Sequence, residues 1–137
     1  MQILYKATVT ATGGREGRVQ SSDNVIELNL AIPKELGGPG GRATNPEQLF
    51  AGGYAACFEG AVRFAARSKK IPVKEAHVTA EVGIGKDDPG FKLAVTLTVD
   101  LPGMDRTLAE GILQDAHRIC PYSKATRGNI EVQTILK

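Results

Sequence analysis

The chain has 137 residues, a net charge of +2, 42% hydrophobic and 23% charged residues, and no tryptophan. That length suits one domain, and the composition excludes a disordered chain. No run of basic residues marks a nucleic-acid-binding face, and no stretch of 18 apolar residues marks a membrane span. Neither nucleic acid nor a membrane is expected as a partner.

The N-terminal segment "MQILYKATVT" has no basic region followed by a continuous apolar run, so a cytoplasmic location is expected. Ile3, Tyr5, Ala7, Val9 and Ala11 alternate, as do Ile26, Leu28, Leu30 and Ile32, with turn glycines between in "TGGREGR". Residues 1–32 therefore read as a hairpin or short meander. The segment "PKELGGPGGRATNP", 33–46, is a Gly/Pro-rich loop. It lacks the Lys-Ser/Thr ending of a phosphate-binding P-loop.

Asn45-Pro46 opens a helix, with Asn as N-cap and Pro at the first helical position, expected to run to about Ser68. Phe50, Tyr54, Cys57, Ala61 and Phe64 form its expected buried stripe. Gly53, Ala56 and Gly60 make a strip of small residues, each glycine weakening a helix by roughly 1 kcal/mol, which suggests close approach by another backbone. Glu59 and Arg63 are spaced for an ion pair on an exposed face.

Two alternating strands follow, Val78 to Ile84 and Phe91 to Leu101, joined through "GKDDPG". A second helix is expected from near Asp105 or Thr107 to Cys120, where Pro121 stops it. "RGN" leads into a last strand with Ile130, Val132 and Leu136 on one face. The order β-β-α-β-β-α-β, with hairpins dominant, gives an α+β fold built on antiparallel sheet.

The only two cysteines are Cys57 and Cys120. In a reducing compartment a cysteine pair is more often catalytic, metal-bound or redox-sensing than a permanent crosslink. Cys57, on an apolar stripe, also reads as a small hydrophobe. Cys120 ends a helix, where partial negative charge disfavours a thiolate; it suits a second, resolving thiol better than a first nucleophile. A zinc site lacks any C-x-x-C or H-x-x-x-H spacing, although His117 lies three residues before Cys120. A Cys-His dyad with His117 has no oxyanion site to accompany it.

"ATGGREGR", "PKELGGPGGRATNPEQLFAGGYAACF", "VGIG", "LPGMDR" and "CPYSKATRGN" together resemble the organic hydroperoxide resistance (Ohr) branch of the Ohr/OsmC family. The resemblance runs from about Ala7 to the C-terminus. It implies an intertwined α+β homodimer with active sites at the subunit interface, and a cysteine-based peroxidase acting on alkyl and fatty-acid hydroperoxides. Electrons would come from dihydrolipoamide or a lipoylated protein, with no cofactor and no metal. By motif position Cys57 matches the peroxidatic cysteine, Cys120 the resolving cysteine, Arg15 the active-site arginine and Glu47 the glutamate that holds it. Arg18, three residues from Arg15, is an alternative to it. Glu59 departs from the apolar residue the family implies two positions past the peroxidatic cysteine.

The chemistry requires these residue types. A free thiol, with a pKa near 8.5, is mostly protonated at neutral pH, and a cation beside it favours the thiolate and the departing alkoxide. An arginine placed there needs a counter-charge, which Glu47 offers. Glu47 and Cys57 are ten residues apart, about 15 Å along one helix, so Glu47 is expected to come from a partner subunit. A non-enzymatic redox sensor and a binding domain with incidental cysteines are the alternative functions. Phe50, Tyr54 and residues 36–43 are candidates to line an alkyl-binding surface.

Overall fold

The computed structural model describes residues 1–137. Its contacts group the chain into two compact units, Met1–Leu49 and Phe50–Lys137.

The first unit is an antiparallel meander of three strands, β1 (Val9–Thr12), β2 (Arg18–Ser21) and β3 (Glu27–Asn29), in that spatial order. The meander expected from the alternation is present. The strands are shorter than their alternating residues suggest, and β2 was not singled out. Residues 1–8 alternate but have no ladder partner, and without one alternation does not make a strand. Of this unit's large apolar side chains only Val19 and Leu30 are buried.

A one-turn 3-10 helix, Gly14–Glu16, links β1 to β2. Gly17 closes it. A Cβ there would lie 1.7 Å from the Thr12 carbonyl oxygen, so no other residue fits without moving the backbone. The 33–46 loop contains a second such turn, Lys34–Leu36, capped by Gly37 at φ 83°.

Helix α1 (Pro46–Ser68) begins and ends where expected. The Asn45 side-chain oxygen accepts the Gln48 amide at 2.8 Å, the capping bond its position implied. The buried face differs from the expected stripe: Phe58 is fully buried, whereas Phe64 is 59% exposed. Phe64 lies seven residues past Cys57. Two turns of a 3.6-residue helix bring it back to the half-exposed azimuth of Cys57, while Tyr54, Phe58, Ala61, Val62 and Ala65 follow the buried one.

The second unit carries the main sheet, β4 (His77–Asp87), β5 (Gly90–Asp100) and β6 (Glu131–Leu136), ordered β4-β5-β6. β4 and β5 form an antiparallel hairpin, and β6 joins β5 in parallel. The α+β fold with antiparallel hairpins is as expected, and the parallel β5–β6 pairing is an addition to it. The intervening helices return the chain to the same end of the sheet, which short hairpin turns cannot do. Val95, Leu97, Val99 and Leu101 pack with the buried face of α1 and with Ala109, Ile112, Leu113 and Ala116 of α2 (Arg106–Ile119) in one core. Asp105 caps α2 by accepting the Leu108 amide at 3.1 Å.

α2 stops before Cys120, as Pro121 required. A short helix not anticipated from the sequence, α3 (Pro121–Thr126), then starts with that proline at its first position. Cys120 is the corner residue between the two helices. No helix is long and apolar enough to cross a membrane.

Candidate functional site

The two cysteines, 63 positions apart in sequence, come together in the second unit. Cys120 Sγ lies 3.5 Å from Cys57 Sγ. Cys57 is half-buried on α1, and Cys120 is completely buried at the α2–α3 corner. Both are thiols. At this distance the sulfurs are in contact, and about 1.5 Å of closure would bring them to the length of an S–S bond.

Burial pushes the Cys57 thiol above its ordinary pKa, the Tyr122 backbone amide pulls it down, and the neighbouring Cys120 pushes it up again. Within its own unit Cys57 therefore keeps its proton at neutral pH, and thiolate chemistry needs a positive charge brought to the sulfur.

The surroundings are aromatic. The Tyr122 ring stands 5.7 Å from that of Tyr54 and 6.0 Å from that of Phe50. Gly53 makes room for it: a Cβ there would lie 2.8 Å from the Tyr122 hydroxyl. The close approach expected at Gly53 is thus by a tyrosine ring, while Gly60 faces open space within this chain. Tyr54, a candidate for an alkyl-binding surface, is completely buried and belongs to the core; Phe50 is only partly buried. Glu59 bonds Arg63 at 2.5 Å, the ion pair its spacing predicted, so the one departure from the family pattern has its charge engaged along α1.

In the first unit Arg15 and Glu47 form a two-point ion pair, Nη1 to Oε2 at 2.9 Å and Nη2 to Oε1 at 2.7 Å. The glycine turn presents the guanidinium, and the first turn of α1 presents the carboxylate. The fork geometry fixes the plane of the guanidinium as well as its position. Each partner strengthens the other's charge: the Arg15 hydrogen bond holds the Glu47 carboxyl below its usual range, and Glu47 raises the pKa of Arg15. The expectation that Glu47 comes from a partner subunit concerned its distance from Cys57 along α1, and the pair with Arg15 leaves that expectation as it stands. The pair forms within one chain, because the turn after β1 and the start of α1 lie together in the same compact unit. Arg18 is committed elsewhere, to Glu27 at 2.6 Å and Gln20 at 3.2 Å, which separates it from Arg15 as a candidate.

His117, weighed as a zinc ligand or as a base for Cys120, bonds two hydroxyls: Nδ1 to Ser123 Oγ at 3.0 Å and Nε2 to Thr134 Oγ1 at 2.7 Å. Both ring nitrogens are occupied by neutral partners, so neither serves a dyad here. No group of three or more His, Cys, Asp or Glu side chains is arranged to hold a metal. Sequence reasoning missed Ser123 and Thr126, since an isolated hydroxyl residue carries no pattern of its own.

The family model described as OsmC-like protein matches residues 38–135. The organic hydroperoxide resistance protein of Xanthomonas axonopodis pv. citri is 50% identical over 136 residues, 98% of this chain and 96% of its own. A protein of the same description from Bacillus subtilis is 52% identical over 138 aligned positions, 96% of this chain and 94% of that one. Among solved structures, an organic hydroperoxide resistance protein from Legionella pneumophila superposes with a TM-score of 0.94 at 45% identity, covering 99% of both chains. With the fold and nearly the whole length in agreement, the chain belongs to the OsmC-like family, in its organic hydroperoxide resistance branch.

Proposed function

We propose that this protein is a thiol peroxidase that reduces organic hydroperoxides, alkyl or fatty-acid, to alcohols and so takes part in the oxidative stress response. The observation that carries the reading is the contact of the only two cysteines, 3.5 Å apart from distant parts of the chain. The relatives described as organic hydroperoxide resistance proteins support the substrate class.

Arg15, oriented by Glu47, supplies the cation that the Cys57 sulfur lacks among its own neighbours. The Cys57 thiolate attacks one oxygen of the O–O bond. That bond breaks, an alkoxide leaves and takes a proton to become the alcohol, and Cys57 is left as a sulfenic acid. The Cys120 thiol then attacks the oxidised sulfur, an S–S bond forms and water departs. The second step protects Cys57 from irreversible oxidation by further peroxide. Dihydrolipoamide, free or on a lipoylated protein, returns both thiols by exchange and becomes the cyclic disulfide. The working unit is a homodimer.

A turnover assay with tert-butyl or cumene hydroperoxide, using dihydrolipoamide, thioredoxin or glutathione as donor, tests this. Many equivalents of peroxide are expected to be consumed with dihydrolipoamide. Cys57→Ser abolishes turnover, and Cys120→Ser leaves Cys57 open to overoxidation. Consumption of a single equivalent with every donor would instead mark a redox sensor, and unchanged turnover in Cys57→Ser would remove cysteine chemistry altogether.

A further inference from the structure

The sulfur pair adjoins a longer hydrogen-bonded chain of buried and half-buried side chains that the peroxidase chemistry leaves without a role. Cys120 is the corner between α2 and α3. His117, three residues before it, and Ser123, three after, bond across that corner at 3.0 Å. Ser123 Oγ meets the Tyr54 hydroxyl at 2.9 Å, Tyr54 reaches Thr126 Oγ1 at 3.3 Å, and Thr126 donates to the Tyr122 carbonyl at 2.9 Å. At the other end His117 Nε2 meets Thr134 of β6 at 2.7 Å. The chain therefore ties β6, α2, α3 and α1 to the Tyr122 residue, whose own backbone amide is the one group lowering the Cys57 pKa.

With a neutral imidazole, proton accounting leaves the chain two arrangements. The single Thr126 hydroxyl hydrogen goes to a main-chain carbonyl, that of Tyr122 or of Ser123 at 3.3 Å, so Tyr54 must be the donor wherever it bonds Thr126. Either Tyr54 donates to Thr126, Ser123 to Tyr54, His117 Nδ1 to Ser123 and Thr134 to Nε2, or Tyr54 donates to Ser123, Ser123 to Nδ1 and His117 Nε2 to Thr134. Both use a neutral imidazole, the form that burial and the nearby Arg127 favour. Every buried side-chain polar atom has a partner. Tyr54, Ser123 and Thr126 are all buried, where apolar residues of similar size would pack without needing partners. What hydrogen bonds add, and apolar packing does not, is a defined direction and register.

We propose that this network positions the sulfur pair. It holds α3 so that the Tyr122 amide faces Cys57 and Cys120 stays within reach of it, making His117, Ser123, Tyr54 and Thr126 positioning residues. The purpose of the device rests on the peroxidase reading; its effect on Cys57 does not. Tyr54→Phe removes the central hydroxyl while keeping the ring. Two quantities are measured beside the melting temperature. One is the pH dependence of Cys57 alkylation by iodoacetamide in the reduced protein, followed by peptide mass spectrometry. The other is the ratio of disulfide to sulfinic acid after tert-butyl hydroperoxide treatment.

The expected result is a Cys57 titration moved to higher pH, with alkylation at pH 7 slowed about fivefold, the scale of one net hydrogen bond, and more sulfinic acid at the expense of disulfide. A lower melting temperature with both cysteine readouts unmoved would overturn the proposal, since a merely structural role predicts that pattern. Should Tyr54→Phe not fold, Thr134→Val at the outer end of the chain carries the same two readouts, with about a twofold slowing expected and no change again decisive against it. If the wild type forms neither disulfide nor sulfinic acid, the peroxidase reading falls, and the alkylation shift still decides for or against the network.

Discussion

Cys57 holds its proton more tightly than a free thiol because burial outweighs the one amide directed at it. In the proposed reaction the residue that reverses this is Arg15, which Glu47 holds fixed in plane. Glu47 is the better place to test that pair, since its removal keeps the cation in the protein and frees only its orientation. Glu47→Gln is expected to lower stability by about 1 kcal/mol or less, as Arg15 is partly exposed and solvent screens the charge. Its larger effect is a drop in peroxidase kcat/KM, because the guanidinium loses its fixed orientation. The sign of the pH dependence follows from the depressed Glu47 pKa. The pair's stabilisation is complete above the ordinary carboxylate value of 4.5 and is lost as pH falls through the lower folded value. The acid limb of the unfolding curve should therefore be shallower in Glu47→Gln than in the wild type.

Among the elements, α1 and the α2–α3 corner decide the site. α1 carries Glu47 in its first turn and Cys57 further along, and Gly53 lets the Tyr122 ring lie against its backbone. Gly53→Ala sets two effects against each other. Alanine favours the helix by about 1 kcal/mol, while the new methyl, 2.8 Å from the Tyr122 hydroxyl, pushes the ring aside. The net change in unfolding free energy is expected to be under about 1 kcal/mol, since the ring's outer end can yield. Any displacement of the Tyr122 backbone with its ring registers as a change in the Cys57 alkylation rate. Denaturant melts and alkylation rates on one preparation settle the comparison; equal and negligible changes in both would detach Tyr122 from the Cys57 environment.

At the scale of the whole molecule, apolar surface is unevenly spread. Nine of the fifteen exposed large hydrophobic residues precede residue 37, among them Ile3, Leu4, Tyr5, Val9, Val25 and Leu28, and Phe64 stands exposed on α1 beside the open Gly60. So much uncovered apolar surface in a unit with two buried large side chains marks an association surface. The expected species in sedimentation is a dimer, twice the 14.5 kDa chain, and Leu28→Lys with Val9→Lys should shift it toward monomer. A wild-type monomer at micromolar concentration would contradict the proposed homodimer. Local chemistry made much of this architecture legible in advance. Asn45-Pro46 announced the start of α1, Pro121 the end of α2, and the alternation from Leu93 to Leu101 the central strand, because capping, a missing amide hydrogen and a two-residue period are properties of neighbours in the chain. The two cysteines, Arg15 and Glu47 were candidates from their motifs, and the residue types already named thiol chemistry. The resemblance already paired Glu47 with Arg15 and Cys120 with Cys57; only the folded chain gave Glu27 to Arg18, a parallel neighbour to β5 and a hydroxyl network to His117. Those choices depend on contacts between different elements of the chain, and a pattern read along the backbone carries the spacing of neighbours but not the distance between segments.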